Sequence, residues 1–474
     1  MIEADPSPPV DVARQGAWST IGEALRGSRQ DFTKLPIGRA VLLLAVPMVL
    51  EMAMESLFGV VDIFVVSKLG ADAVSVVGLT ETLLSMLYAL ALGFSAAATA
   101  VVARRIGEKD FEGAAIAAVQ VIAVAILAAV VIGIFGALYG QRLLALMGAS
   151  PAVVELGAGY VTLMLGGNVS IVLLFVLSAV FRGAGDAAIA MRALWLANIL
   201  NIVLLPVFVF GVGPVPAMGV TGAAIATTIG RLSGVAYQFA ALTRPGGRLR
   251  LRLRHVRANL DTAAGLMRIA GTGTLQILVE TTSWLGLVRI LADFGSASLA
   301  GYTIAIRIAI FALLPALGLA NAAATLVGQN LGAGRPDRAE RSVWVATLFN
   351  MVFLGLVGIG FVVFTEPLVR LFTEEEDVVV FGVECLRIIA FGFFFYACGM
   401  VAVQAFNGAG DTATPTYLSL VSFWLFKIPL AYVLALTLEM GPSGVFYAIA
   451  AAYSLHALAS VAMFRRGSWK AMKV

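Results

Sequence analysis

Charge is scarce in this chain of 474 residues: Asp, Glu, Lys and Arg together make up 13% of it, about half of the roughly 25% usual in soluble domains. So little polar surface cannot face water on all sides, which excludes a soluble globular fold. Cysteine and histidine are scarcer still, at two each. Cys385 and Cys398 lie in one apolar stretch, with no CxxC pair and no Cys/His ligand spacing, so neither a disulfide framework nor a metal site is supported. No GxxxxGK[ST] phosphate loop occurs, nor a polar segment large enough to hold a nucleotide, so ATP bound to this chain is not expected to drive its work. Alternating strand patterns are also missing, which argues against a β-barrel. The first 40 residues carry no compact apolar core of a cleavable leader, and the first span is expected to act as its own insertion signal.

What is abundant is apolar length. Hydrophobic residues make up 60% of the chain, gathered into about twelve runs near the roughly 20 residues that cross a bilayer as a helix. They fall near 41–64, 80–103, 115–138, 156–180, 188–211, 217–241, 263–292, 299–327, 343–365, 379–406, 416–437 and 443–464. Lys and Arg set the orientation. Arg104, Arg105, Lys109, Arg182, Arg192, the series Arg244–Arg257, Arg335, Arg338, Arg341, Arg465, Arg466, Lys470 and Lys473 all fall at one side. The other side holds Lys68, Arg142 and the acidic run Glu374–Asp377. Both termini are therefore expected in the cytoplasm, with the chain in the inner (plasma) membrane. The net charge of +4 follows from this topology, and no nucleic-acid partner is expected. The polar tail up to Lys34, with Pro6, Pro8 and Pro9, reads as disordered before a short interfacial helix.

The chain also repeats itself. Phe181-Arg-Gly-Ala-Gly-Asp186 returns as Phe406-Asn-Gly-Ala-Gly-Asp411, an offset of 225 (406 − 181), and Ala91-Leu92-Gly93 returns as Ala316-Leu317-Gly318 at the same offset. Gly70 and Gly107 find Gly295 and Gly332. The expected fold is an all-α integral membrane protein of twelve transmembrane helices, in two six-helix bundles related by a parallel repeat. Six spans is an even number, so both bundles insert the same way round. The predicted divisions are a tail at 1–36, a first lobe at 37–243, a basic linker at 244–262, a second lobe at 263–464 and a tail at 465–474. Fused halves with a cleft between them point to a transporter opening to either side in turn. Without a nucleotide site, an ion gradient must supply the energy, which requires ionisable groups inside the membrane.

Those groups are present. Glu51, Glu55 and Asp62 fall on one stripe of the first span, within about 40° of one another. Carboxylates cannot face lipid cheaply and must line an interior. Glu280 repeats Glu55 (280 − 225 = 55) in the second half, so each bundle is expected to offer an acid to the cleft at matching depth. A carboxyl shielded from water can exchange a proton near neutrality, and a cationic cargo would compete with that proton. Asn198, Asn201, Thr227 and Thr228 read either as bridges between helices or as ion ligands. Lys427 reads as the neutraliser of an acid across the bundle, and Arg289 as the structural partner of Asp293. The aromatic run Phe391 to Tyr396 reads as lipid-facing surface or as a stack for flat cations, His456 as a packed histidine, and the GAGD turns as tight helix connections.

At these residues the chain resembles the multidrug and toxic compound extrusion (MATE) transporters. The likeness is carried by Pro47 with Asp62 in GVVDIFVVSKLGADAVSVVGL and, in order, by GFSAAATAVVARRIGEKD, FRGAGDA, NIVLLPVFVFGVG, MGVTGAAIATT, GQNLGAGRPDRAERSV, FNGAGDTATPT and IPLAYVLAL. The resemblance covers residues 36 to 464. It implies export of cationic and amphiphilic organic compounds in exchange for protons or sodium, with no cofactor beyond the coupling ion. Carried over by position, Asp62, Asn201 and Thr227 match the family's first-lobe ion site and Glu280 its second-lobe acid. Two positions depart from the pattern. Leu205 stands before Pro206 where some members carry Asp, and Tyr396 stands where others carry an Asp in the tenth span. Glu51 and Glu55 are extra acids, and Glu55 is expected to stand in for the acid missing at 205. Fewer oxygen ligands favour proton over sodium. The expected ion-coupling set is Asp62, Asn201, Thr227, Glu55 and Glu280, and the expected substrate-binding set is Glu280, Glu51, Tyr396 and Lys427. The partners expected are small organic cations and membrane lipids, and the chain is expected to be a monomer.

Two alternatives make different demands. A flippase of lipid-linked saccharides from the same superfamily needs Arg and Lys along its cleft to hold a pyrophosphate, whereas the mid-membrane charges here read as mostly acidic. An integral-membrane enzyme needs a metal-binding acid cluster or a nucleophile–base pair at a membrane face, and the sequence offers neither.

Overall fold

The computed structural model describes residues 17–472 except Arg29 and residues 256–259. Long apolar runs with no water to satisfy their backbones must bond internally, and the described residues form helices with no strand among them. A short α1 (Ala17–Arg26) precedes six crossings: α2 (Ile37–Ser67), α3 (Ala71–Gly107), α4 (Phe111–Leu146), the pair α5 (Pro151–Gly166) and α6 (Val169–Ala184), α7 (Ala187–Phe210) and α8 (Gly219–Thr243). The second six are α9 (Leu260–Ala292), α10 (Ser296–Gly332), α11 (Pro336–Val363) with the short α12 (Thr365–Arg370), α13 (Glu376–Ala409), a composite helix, and α16 (Pro442–Arg466). The composite begins as α14 (Ala413–Ser419), widens into π-helical turns over Leu420–Lys427, returns to α15 (Ile428–Tyr432) and widens again over Val433–Thr437. Eleven of these crossings are long and apolar enough to span a membrane by length and composition. The twelfth, α8, is diluted by Thr227, Thr228, Arg231 and Gln238 but packs along α7 inside the first lobe.

The repeat is visible in the helix ends. α3 and α10 start and stop 225 residues apart (71 and 296, 107 and 332). Gly185 and Gly410 close their helices with φ of 83° and 86°, a left-handed conformation that favours glycine. One expected span differs. The run at 156–180 is broken into α5 and α6 around Gly167 and Asn168, where Asn168 donates a hydrogen bond to the Leu165 carbonyl at 2.7 Å. Its counterpart α13 is continuous. The paired glycines 166 and 167 make leaving the helix inexpensive there.

The lobes exchange contacts through their first helices: α2 packs on α10, and α9 on α3. Reciprocal glycines set the approach. A Cβ on Gly107 would lie 2.1 Å from the Gln329 carbonyl oxygen, and one on Gly332 would lie 2.0 Å from that of Arg104. Any side chain at either position would push the lobes apart. Thr325 and Gln329 donate across the same seam to the carbonyls of Arg182 and Gly183, at 3.2 and 2.9 Å. These contacts lie in the halves of α3 and α10 nearer the arginine-rich end, so the lobes are sealed there.

The tail departs from expectation. Pro6, Pro8 and Pro9 lie outside the described residues, as do Arg257 and Lys473. The tail up to Lys34 is expected to be disordered, but its described residues from Gln30 to Lys34 are packed against the seam. Phe32 is 1% exposed. Arg335 donates to the Thr33 carbonyl at 2.9 Å, Arg338 to those of Phe32 and Leu35, and Arg248 of the linker to that of Gln30. The Asp31 carboxylate accepts from Lys109 at 2.6 Å and from the Thr33 hydroxyl and N–H. Burial alone would push this carboxyl up, but those bonds outweigh it and hold its pKa down at about 2. The basic residues that signalled topology thus also bind backbone carbonyls of the tail.

Candidate functional site

A cavity of about 540 Å³ lies between the lobes, directly beyond the sealed seam. The second lobe supplies most of its wall. The first lobe adds Leu92, Ser95, Ala96 and Thr99 from α3 and Arg182 from α6. Glu280 on α9 and Tyr396 on α13 both line it. Around Glu280 stand Trp284, Tyr302, Phe393, Phe423 and Tyr453, and Tyr396 meets Tyr453 edge to face at 4.7 Å. Helical periodicity explains the split in the aromatic run. Phe391, Phe394 and Phe395 point outward and are exposed, while Phe393 and Tyr396 turn to the cavity. His456 is buried and stacks on Phe423 at 4.9 Å.

Lys427 requires a correction. It is expected both as the neutraliser of an acid across the bundle and among the substrate-binding residues; its charge acts on Glu280, but it is fully buried and does not line the cavity. Its ammonium donates to Ser283 Oγ at 2.8 Å and sits over the rings of Trp284 (4.4 Å), Phe423 (4.8 Å) and Tyr453 (5.7 Å). The rings that face the cavity thus carry a resident cation on their far side. Lys427 ends a π-helical stretch just before Pro429, whose missing N–H loosens the helix there.

Glu51 also changes role. Its carboxylate pairs with Arg182 at 2.7 Å, both side chains being almost wholly buried, and only Arg182 reaches the cavity. Arg182 is one of the basic residues that signal the topology. Its position in the last turn of α6 instead brings it under the cavity floor, with Glu51 as the carboxylate that neutralises it.

Glu55 does not mirror Glu280 at the cavity wall. Its carboxylate accepts from Asn198 Nδ2 at 3.0 Å, within the first lobe. Asn198 lies about two turns of α7 from position 205. Leu205 itself is 0% exposed in an apolar cluster with Val65, Tyr160 and Ala223. Glu55 therefore does not occupy the place of an acid at 205.

Asp62, Asn201 and Thr227 are brought into the interior of the first lobe, away from the cavity wall. Asn201 Nδ2 donates to Thr227 Oγ1 at 2.9 Å. Asp62 Oδ1 and Asn201 Oδ1 are buried with no hydrogen-bond partner among the described residues, a condition proteins avoid unless the atoms serve something. Sequence reasoning missed the charges around them. Arg231 on α8 is 6% exposed, donates to Tyr88 Oη at 2.7 Å, and is the cation acting on Asp62, while Glu81 on α3 is the nearby acid. The available signal was a lone arginine four residues, one helical turn, after Thr227 in an otherwise uncharged span. Buried Arg182, Arg231 and Lys427 also correct the impression that the mid-membrane charges are mostly acidic.

Two pseudo-symmetric helical lobes around a central cavity, with ionisable groups buried at membrane depth, define a membrane transporter rather than an enzyme. A family model described as MatE matches residues 47–207 and 274–433. The chain belongs to this family of multidrug efflux transporters. It is similar to a probable multidrug resistance protein NorM of Thermotoga maritima, 26% identical over 92% of this chain and 93% of that one. Among solved structures it is similar to a MOP superfamily transporter from Pyrococcus furiosus, described by a reverse polarity of the binding pocket that suggests a different function. That match has a TM-score of 0.87 at 26% identity over 95% of this chain and 98% of that one. It is also similar to the outward-facing conformation of a multidrug resistance MATE family transporter, with a TM-score of 0.86 at 26% identity over 92% and 96%.

Proposed function

We propose that the chain exports cationic or amphiphilic organic compounds from the cytoplasm by antiport with protons. The observation that carries this reading is Glu280: one carboxylate in the wall of an aromatic-lined cavity, a setting suited to a flat organic cation. The coupling site is the separate first-lobe cluster of Asp62, Asn201 and Thr227, with Glu55 and Asp62 sharing Arg231 as positive neighbour. Sodium would need several oxygens there and would meet the guanidinium of Arg231. A proton needs one basic oxygen, and Asp62 Oδ1 is free to take it. With both termini on the cytoplasmic side of the plasma membrane, the sealed seam closes the inner face and the cavity belongs to an outward-facing state. Arg182, the one cation on the cavity wall among the described residues, is already neutralised by Glu51, which is unlike the basic cleft a pyrophosphate-bearing lipid would require. The test is efflux of a fluorescent organic cation from proteoliposomes under separately imposed proton and sodium gradients. Efflux driven by the proton gradient alone supports the reading, and efflux driven by sodium alone overturns it.

A further inference from the structure

A second cavity, of about 840 Å³, opens on the outer surface of the second lobe between α13 and α16. Only Gly392 and Ala450 belong to both its wall and that of the central cavity. Its length is apolar and exposed: Val380, Phe391, Phe395 and Tyr447 face outward at 43–68% exposure. At its mouth Arg370 is already held by Glu366 at 2.9 Å and Glu376 at 3.0 Å. Deeper in the groove are Glu384 and Arg387, one turn apart on α13, with no hydrogen bond or ion pair of their own among the described residues.

Arg387 stands eleven residues into α13 (387 − 376), roughly 16 Å along the helix at 1.5 Å per residue, and roughly 8 Å from its middle. An opposite-charge pair left unpaired at that depth, beside surface that can only face acyl chains, is costly unless something polar reaches it. The repeat supplies an internal control. The equivalent first-lobe positions are Gly159 and Thr162, and a Cβ on Gly159 would lie 2.6 Å from Thr221 Oγ1. There the helices pack directly, and neither charge is present.

We propose that this groove is a binding site for a zwitterionic membrane phospholipid, with the phosphate on Arg387, the ammonium on Glu384 and an acyl chain along Phe391, Phe395 and Tyr447. One charge of each sign matches a headgroup carrying one of each, and the apolar floor matches a chain. A purely anionic lipid would satisfy Arg387 and leave its charge against Glu384.

The test is native mass spectrometry of the full-length protein in detergent, titrated with phosphatidylethanolamine and phosphatidylglycerol of matched chains. The wild type is expected to retain phosphatidylethanolamine over phosphatidylglycerol. The Glu384→Gln/Arg387→Gln variant should lose that retention about tenfold. A second variant, Val383→Trp, keeps both charges but fills the groove, and should displace the same lipid. Arg387 is exposed, while Glu384 and Val383 are half-buried in the groove wall, Val383 against the lobe's core, and an unchanged thermal midpoint of each variant confirms the fold. Equal retention of phosphatidylethanolamine by the wild type and both variants, or equal retention of the two lipids by the wild type, overturns the proposal.

Discussion

The two lobes share one backbone and carry opposite kinds of interior. Position for position, Asp62, Asn201, Thr227 and Arg231 of the first lobe become Leu287, Phe426, Ala452 and His456 of the second. The buried ion pair Glu51–Arg182 becomes the neutral amides Gln276 and Asn407, both in the cavity wall. The second lobe has instead gathered Trp284, Tyr396, Phe423 and Tyr453 around Glu280. A duplicated scaffold has thus been divided into a hydrogen-bonding half suited to holding a proton and an aromatic half suited to holding a cargo. Alternating access needs the halves to move against each other, and under the proposed function the division would give each half its own ligand to respond to.

The comparison can be broken at several points. The largest effect on stability is expected from Glu51→Gln, which leaves Arg182 buried without its counter-charge. Removing one partner of a buried pair costs about 3–5 kcal/mol, so yield and thermal midpoint in detergent should fall sharply. Replacing both residues by the second lobe's choice, Glu51→Gln with Arg182→Asn, should recover most of that loss. No recovery would show that the pair does more than balance charge. At the other pole, Glu280→Gln should weaken binding of a monovalent organic cation about tenfold, equivalent to about 1.4 kcal/mol, and leave a neutral amphiphile nearly unaffected. Fluorescence polarisation with one ligand of each kind separates this from a packing role, which would weaken both alike.

Much of this was legible in the sequence, for identifiable reasons. Eleven crossings followed from apolar length alone and the more polar α8 less directly, and the 225-residue repeat fixed which ones correspond. Glu280 and Tyr396 could be placed because their character, a lone acid in an apolar span and an aromatic at helical spacing, survives any packing. Glu51, Glu55 and Lys427 could not, because a stripe on one helix says which way side chains point and not what they meet. Glu51 met an arginine read only as a marker of topology, Glu55 met Asn198, and Lys427 reached the outer side of an aromatic cage through a widened helix. Arg231 was overlooked because a single charge in a span rich in Thr and Gly breaks no pattern.

Smaller effects sharpen the comparison further. Glu55→Gln removes one of the two acids around Arg231 and should lower cation efflux by roughly three- to tenfold, with Glu55→Asp restoring part of it. An unchanged rate would place Glu55 outside the coupling site. Smallest of all is Asp31→Asn at the sealed end, where losing the Lys109 contact should lower the thermal midpoint by about 2 °C. The sign of its pH dependence is set by a folded pKa of about 2, below the ordinary carboxyl value of about 3.9. Its stabilising contribution is complete above that ordinary value and is lost only as pH falls toward 2. Between pH 5 and 8 the Asp31 contact should stay constant, and any pH dependence of transport there must come from elsewhere.

The division of labour itself is tested most directly by Asp62→Asn, measured twice on the same preparation. Binding of an organic cation by fluorescence polarisation should remain within about twofold of the parent, because Asp62 does not line the cavity. Efflux driven by an imposed proton gradient in proteoliposomes should fall to the level of empty vesicles. Proton-driven efflux at the parental rate, or loss of cation binding together with transport, would contradict the assignment of coupling to the first lobe and cargo to the second.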